Sequence, residues 1–125
     1  MTLTVSKNVH VVGAEHTAVA VGSGDLEVLG TPVLIAWLEQ ATCAELELDQ
    51  GLTSVGIEVH VNHVAPSAIG STITANASIT FNDGRNVDFD VSAYDQADTL
   101  VADGKVRRVI VNAERFISRL TSVGD

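Results

Sequence analysis

The sequence predicts an α+β fold in which an antiparallel sheet wraps around one long helix. Three observations predict it. From Ser71 to Phe81, the residues Ile73, Ala75, Ala77, Ile79 and Phe81 alternate with Thr72, Thr74, Asn76, Ser78 and Thr80. That period of two marks a half-buried strand. Further strand patterns follow after short turns, which makes an antiparallel meander with one face to be covered. The third observation is "GTPVLIAWLEQATCAEL" (30–46), the one segment long and apolar enough to cover that face.

Each element has its own signal. "NVHVV" and "TAVAV" are β-branched runs separated by Gly13 and the polar "AEH", and they predict an opening strand pair. "GSGDLEVLG" holds three glycines in nine residues and reads as a loop. The helix is predicted from about Pro32 to about Asp49, with Gly51 as its breaker. Thr31 suits the N-cap and Pro32 the first helical position. Four strands follow: Val55 to Ala65, Ser71 to Phe81, Val87 to Ala93 and Leu100 to Val111, with "NDG" and "DQAD" as turns. "NAERFISRL" closes as a short amphipathic helix. One helix wrapped by a curved antiparallel sheet is the hotdog architecture, here expected as a single domain over 1–125 with a core about 9–120. The helix's apolar residues spread too widely for one sheet face, which predicts a homodimer.

Composition bounds the function. The chain has 125 residues, of which 46% are hydrophobic, so it is a globular chain able to bury a core. Its longest apolar run, Val33 to Leu38, is far short of the roughly 20 residues of a membrane span. "MTLTVSKNVHVV" lacks the pattern of a signal peptide, so a cytoplasmic protein is expected. A net charge of −9 repels nucleic-acid phosphates. Cys43 stands alone, no zinc-like spacing appears, and the residue reads as a small core side chain. Five of the seven basic residues (Lys105, Arg107, Arg108, Arg115 and Arg119) fall in the last 21 positions, a local patch suited to a small anion.

Three residues carry the candidate chemistry. Glu39 lies on the helix among Ile35, Ala36, Cys43 and Leu46, where a buried carboxylate needs a partner. In "VGIEVHVNHVAP", alternation puts His63 on the apolar face with Ile57, Val59, Val61 and Ala65, and His60 with the polar neighbours. Each has a bland reading: Thr31 as a cap, Glu39 at a wet edge or dimer seam, His63 as a satisfied core imidazole. Together they supply a hydroxyl, a carboxylate and an imidazole, the parts of an acyl-transfer or hydrolytic site. The helix N-terminus adds amide donors and a positive dipole end for an oxyanion.

The segments "VGSGDLEVLGTPVLIAWLEQA", "SVGIEVHVNHVAPSAIGSTITANASI", "GRNVDFDVSAYD" and "RRVIVNAERF" resemble the fluoroacetyl-CoA thioesterase-like group of hotdog thioesterases over about Val19 to Phe116. The telling parts are the Thr-x7-Glu spacing and the "H-x-A-P" segment. The resemblance implies hydrolysis of a small acyl-CoA thioester by Thr31, Glu39 and His63, with coenzyme A as part of the substrate and no further cofactor or metal. It also implies a close backbone approach at Gly56 and a CoA phosphate at Arg108. Glu39 is then nucleophile or base, and Thr31 orienting group or nucleophile. Three departures qualify it. The stretch before Thr31 lacks the aromatic lid of the fluoroacetyl-specific enzyme, so an unfluorinated acyl group is expected. Pro32 replaces a glycine and has no N–H, which moves an oxyanion role to the amides of Val33 or Leu34. Val106 replaces a histidine. These departures leave a non-catalytic protein that binds acyl-CoA or another small ligand as the alternative, with a hotdog dehydratase behind it.

Overall fold

The structure, a computed structural model, describes residues 6–120. Expectations for the first and last five positions, including the leader reading and the outer limits of 1–125, lie outside the described residues. The chain runs through β1 (Ser6–Val11), a 3-10 turn (Ala14–His16), α1 (Ala18–Val21) and α2 (Thr31–Glu45). It continues through β2 (Leu52–His63), β3 (Thr72–Asn82), β4 (Asn86–Tyr94), β5 (Leu100–Asn112) and α3 (Ala113–Ser118). The strands form one antiparallel sheet in the order β1-β3-β4-β5-β2. α2 packs chiefly on β3 and β1. The α+β hotdog architecture is therefore present.

The core lies between α2 and the inner face of the sheet. Leu34, Trp37, Leu38 and Ala41 of α2 meet Ile73, Ala75 and Ala77 of β3, and Val87, Phe89 and Val91 of β4. Leu38 is fully buried, and a leucine so placed contributes about 2 kcal/mol. The small alanines of β3 and β4 let the helix approach the sheet closely. Beside β1, the Trp37 ring stacks on His10 at 4.4 Å with the planes 2° apart, and His16 meets its edge at 5.0 Å. Burial, together with the nearby His16, pushes the His10 imidazole below its ordinary range.

Four expectations are corrected here. "TAVAV" is not a strand. The Thr17 hydroxyl accepts from the Ala20 amide at 3.2 Å and Gly22 takes φ +76°, so local capping closes a one-turn helix instead. α2 ends at Glu45 rather than near Asp49, with Leu46 already extended. Cys43 is exposed, not core, because it points from the side of α2 away from the sheet. Ile57 and Val59 are 55% and 37% exposed: β2 is the sheet's last strand, and the helix does not reach over this part of it. A bulge between Gly56 and Glu58 also breaks the alternation there.

Candidate active site

The helix start differs from the expectation in a way that matters. Gly30, not Thr31, is the N-cap, and Thr31 and Pro32 are the first two helical residues. The Thr31 hydroxyl is thereby released from capping. Its Oγ1 lies 2.8 Å from Nδ1 of His63, the last residue of β2. The position of Gly30 is fixed from outside the helix, because its amide donates to the His16 carbonyl at 2.9 Å while the neighbouring Leu29 amide donates to Ser67. The amides of Val33 and Leu34 both donate to the Gly30 carbonyl at 3.1 Å. They close the first turn of α2.

His63 is half-buried, and its Nε2 is enclosed without a hydrogen-bond partner among the described residues. Burial pushes its imidazole below the ordinary value, and the nearby Ala65 backbone opposes that shift without reversing it. The ring is therefore neutral at pH 7. Thr31 and His63 open onto a cavity of about 330 Å³ whose other walls include Ala18, Val28, Leu29 and Pro66. Among the described residues, no Phe, Tyr or Trp lines it.

Glu39 stands at a second place. Eight residues of helix set it about 12 Å along the axis from Thr31. There its Oε2 accepts from Arg108 Nη1 at 3.2 Å. A Cβ on Gly56 would lie 2.5 Å from that same oxygen, so only a glycine lets the carboxylate settle against β2. Arg108 is 7% exposed, with Nε donating to the Ser54 hydroxyl at 2.8 Å and Nη2 to the Ser54 carbonyl at 3.1 Å. The arginine expected at a CoA phosphate is instead buried and holds Glu39 in place. Ser54, which anchors the guanidinium, carried no sequence signal beyond its place in the "S-x-G" stretch. Among the described residues, no cluster of His, Cys, Asp and Glu is grouped to hold a metal ion.

One chain therefore presents a hydroxyl–imidazole pair at one end of β2 and a braced carboxylate at the other, over a hotdog fold. Comparison with known proteins agrees on that class. A hot-dog-like protein from Thermanaerovibrio acidaminovorans superimposes with a TM-score of 0.87 at 23% identity, covering 98% of this chain and 92% of that one. The fluoroacetyl-CoA thioesterase FlK superimposes with a TM-score of 0.92 at 22% identity, covering 100% of this chain and 98% of that one. In sequence, the fluoroacetyl-CoA thioesterase of Streptantibioticus cattleyicolor is 28% identical over 96 residues, which is 75% of this chain and 68% of that protein. The pattern of the fluoroacetyl-CoA-specific thioesterase family matches residues 12–114, and the chain belongs to that family.

Proposed function

We propose that the protein hydrolyses small, unfluorinated acyl-CoA thioesters as a homodimer, with Thr31 and His63 of one protomer and Glu39 of the other at each site. The observation that carries this reading is the 2.8 Å contact between the Thr31 hydroxyl and the neutral His63 ring, beside an apolar cavity. Family membership favours it over ligand binding without turnover.

The chemistry follows the nucleophile–base–orienting-acid pattern. His63 Nδ1 takes the Thr31 hydroxyl proton as Oγ1 attacks the thioester carbonyl. The carbon–sulfur bond breaks, and the imidazolium returns the proton to the departing CoA sulfur. Water, activated by the same ring, then releases the acid and restores Thr31. The N-terminal end of α2 supplies positive potential to the oxyanion. With Nδ1 accepting from Thr31, the ring hydrogen sits on Nε2, the enclosed atom without a partner among the described residues. A carboxylate there would fix the tautomer and steady the imidazolium. Glu39 of the same chain lies too far along the helix to do so.

A second copy resolves the distance. Among the described residues, β2 has β5 on one side and no strand on the other, with Ile57 and Val59 exposed along it. Antiparallel pairing of two β2 strands about a twofold axis near their middle lays the Gly56 end of one beside the His63 end of its partner. The partner subunit's Glu39 then approaches His63. Ala36 and Cys43, exposed on α2, would meet the partner's helix. An acyl-CoA substrate implies the cytoplasm, a compartment that also suits a free cysteine.

Complementation tests the arrangement. Glu39→Gln and His63→Ala are each expected to be inactive on a panel of acyl-CoAs followed by thiol release. Unfolded and refolded together in equal amounts, they should regain about a quarter of the parent rate, because half the dimers are mixed and each has one intact site. Recovery no greater than the residual rates would place Glu39 and His63 in the same protomer's site. A pH profile adds a second check. His63 acts as a base while neutral, so kcat/KM should be full at pH 7 and fall only as the pH drops below the ordinary histidine value of about 6.5. An acid limb centred above that value would remove His63 from the role of base.

A further inference from the structure

Resting on that reading of the substrate, we propose that a pocket where β2, α3 and the β3–β4 turn meet receives the phosphate-bearing nucleotide end of coenzyme A. The burial of Arg108 motivates the search, because it leaves the phosphates of the substrate without the partner the sequence suggested. The pocket encloses about 320 Å³, and Arg85, Arg115 and Arg119 surround a floor that includes Phe116, Leu52 and Ile110. Three of the seven lysines and arginines of a chain with net charge −9 thus converge on one hollow. Lys105, Arg107 and Arg108 are paired with Asp90, Asp88 and Glu39. Among the described residues, no carboxylate is within ion-pair distance of the Arg85 or Arg115 guanidinium.

The backbone beneath these side chains is fixed in advance. Asp83 Oδ1 accepts from the amides of Arg85 and Asn86 at 2.9 and 2.7 Å, and Gly84 takes φ +89°, so the turn holds Arg85 at one place. Asn112 caps α3 by accepting from the Arg115 amide at 2.9 Å, and the Ala113 amide donates to Gly51, tying α3 to the start of β2. Planar guanidinium groups match phosphate oxygens two bonds at a time, and the exposed Phe116 ring offers an apolar face to a purine. The pocket also lies along β5, the strand of Arg108, which braces the Glu39 carboxylate. Ile110 is two residues, about 7 Å, beyond Arg108 on β5. Phosphates and a flat base together are the chemistry of an adenosine phosphate rather than of a bare anion.

The experiment compares one acyl group on coenzyme A and on N-acetylcysteamine, which has no phosphate, using the parent and Arg85→Ala/Arg115→Ala. The expected result is a rise of about tenfold in KM for the CoA ester at unchanged kcat, with KM for the phosphate-free ester unmoved. Equal rises for both esters, or no rise for either, would overturn the subsite. Calorimetric titration with adenosine 3′,5′-bisphosphate provides an independent readout. Binding by the parent that weakens in the double variant supports the pocket even if neither ester is turned over, a result that would sink the hydrolase reading alone. No binding by the parent, or equal competition by inorganic phosphate, would overturn the nucleotide assignment.

Discussion

Glu39→Gln loses at least about a thousandfold in kcat while its thermal unfolding stays close to that of the parent. The size of the loss follows from the place of the carboxylate in the proposed triad. An amide cannot take up the charge of a transient imidazolium, and it lets the ring adopt the wrong tautomer. The fold survives because glutamine has the same shape, and its amide oxygen still accepts from Arg108 Nη1. Arg108 also keeps both bonds to Ser54. Glu39 is 35% exposed, so removing its charge costs about 1 kcal/mol at most. Steady-state rates on a responsive acyl-CoA, paired with urea unfolding, check both halves. A variant as fast as the parent would make the carboxylate a structural brace for Arg108, and the proposed site would be wrong.

Gly104→Ala is expected to lose about 3 kcal/mol of stability and most of the activity with it. Gly104 sits on β5 opposite Val61 of β2. The two strands approach so closely there that an added Cβ would collide with the His60 carbonyl oxygen and the Val61 Cα, both backbone atoms that cannot rotate aside. Relief requires β2 to move off β5. That strand carries His63 at its end and Gly56 at its bulge, so the loss reaches the hydroxyl–imidazole contact and the seat of Glu39 together. Urea unfolding gives the stability, and thiol release gives the rate. An alanine variant with unchanged midpoint and rate would show that the close approach of the two strands is not required.

The strands were legible because alternation is a local property. The pattern of Ile73, Ala75 and Ala77 against Thr72, Thr74 and Asn76 is what a half-buried sheet face demands, and the structure buries those three apolar residues. Helix length and strand faces were less legible where long-range packing decided them. Leu46 and Leu48 look helical in sequence, yet α2 ends at Glu45 and residues 46–49 form no regular element. Ile57 and Val59 look inward in sequence, yet α2 leaves that part of β2 uncovered. The site was half readable. Spacing singled out Thr31, Glu39 and His63 by their chemistry, and the resemblance pointed to Gly56. What one chain could not disclose was which hydroxyl caps the helix. Gly30 took that place because its amide is held by the His16 carbonyl, a contact between residues fourteen apart. Nor could it disclose that Arg108 faces inward, since a guanidinium is usually solvated unless a carboxylate and a serine happen to converge on it.

The stack of His10 on Trp37 gives the molecule a built-in optical handle. The chain has one tryptophan, so all indole emission arises from this single spot. A neutral imidazole lying flat on the indole is an ordinary aromatic neighbour, whereas its protonated form is a cation on the π face. His16 touches the same ring from its edge, and its carbonyl holds the Gly30 amide at the entrance to α2. Light emitted by Trp37 thus reports on the loop that seats Thr31, without any label attached to the protein.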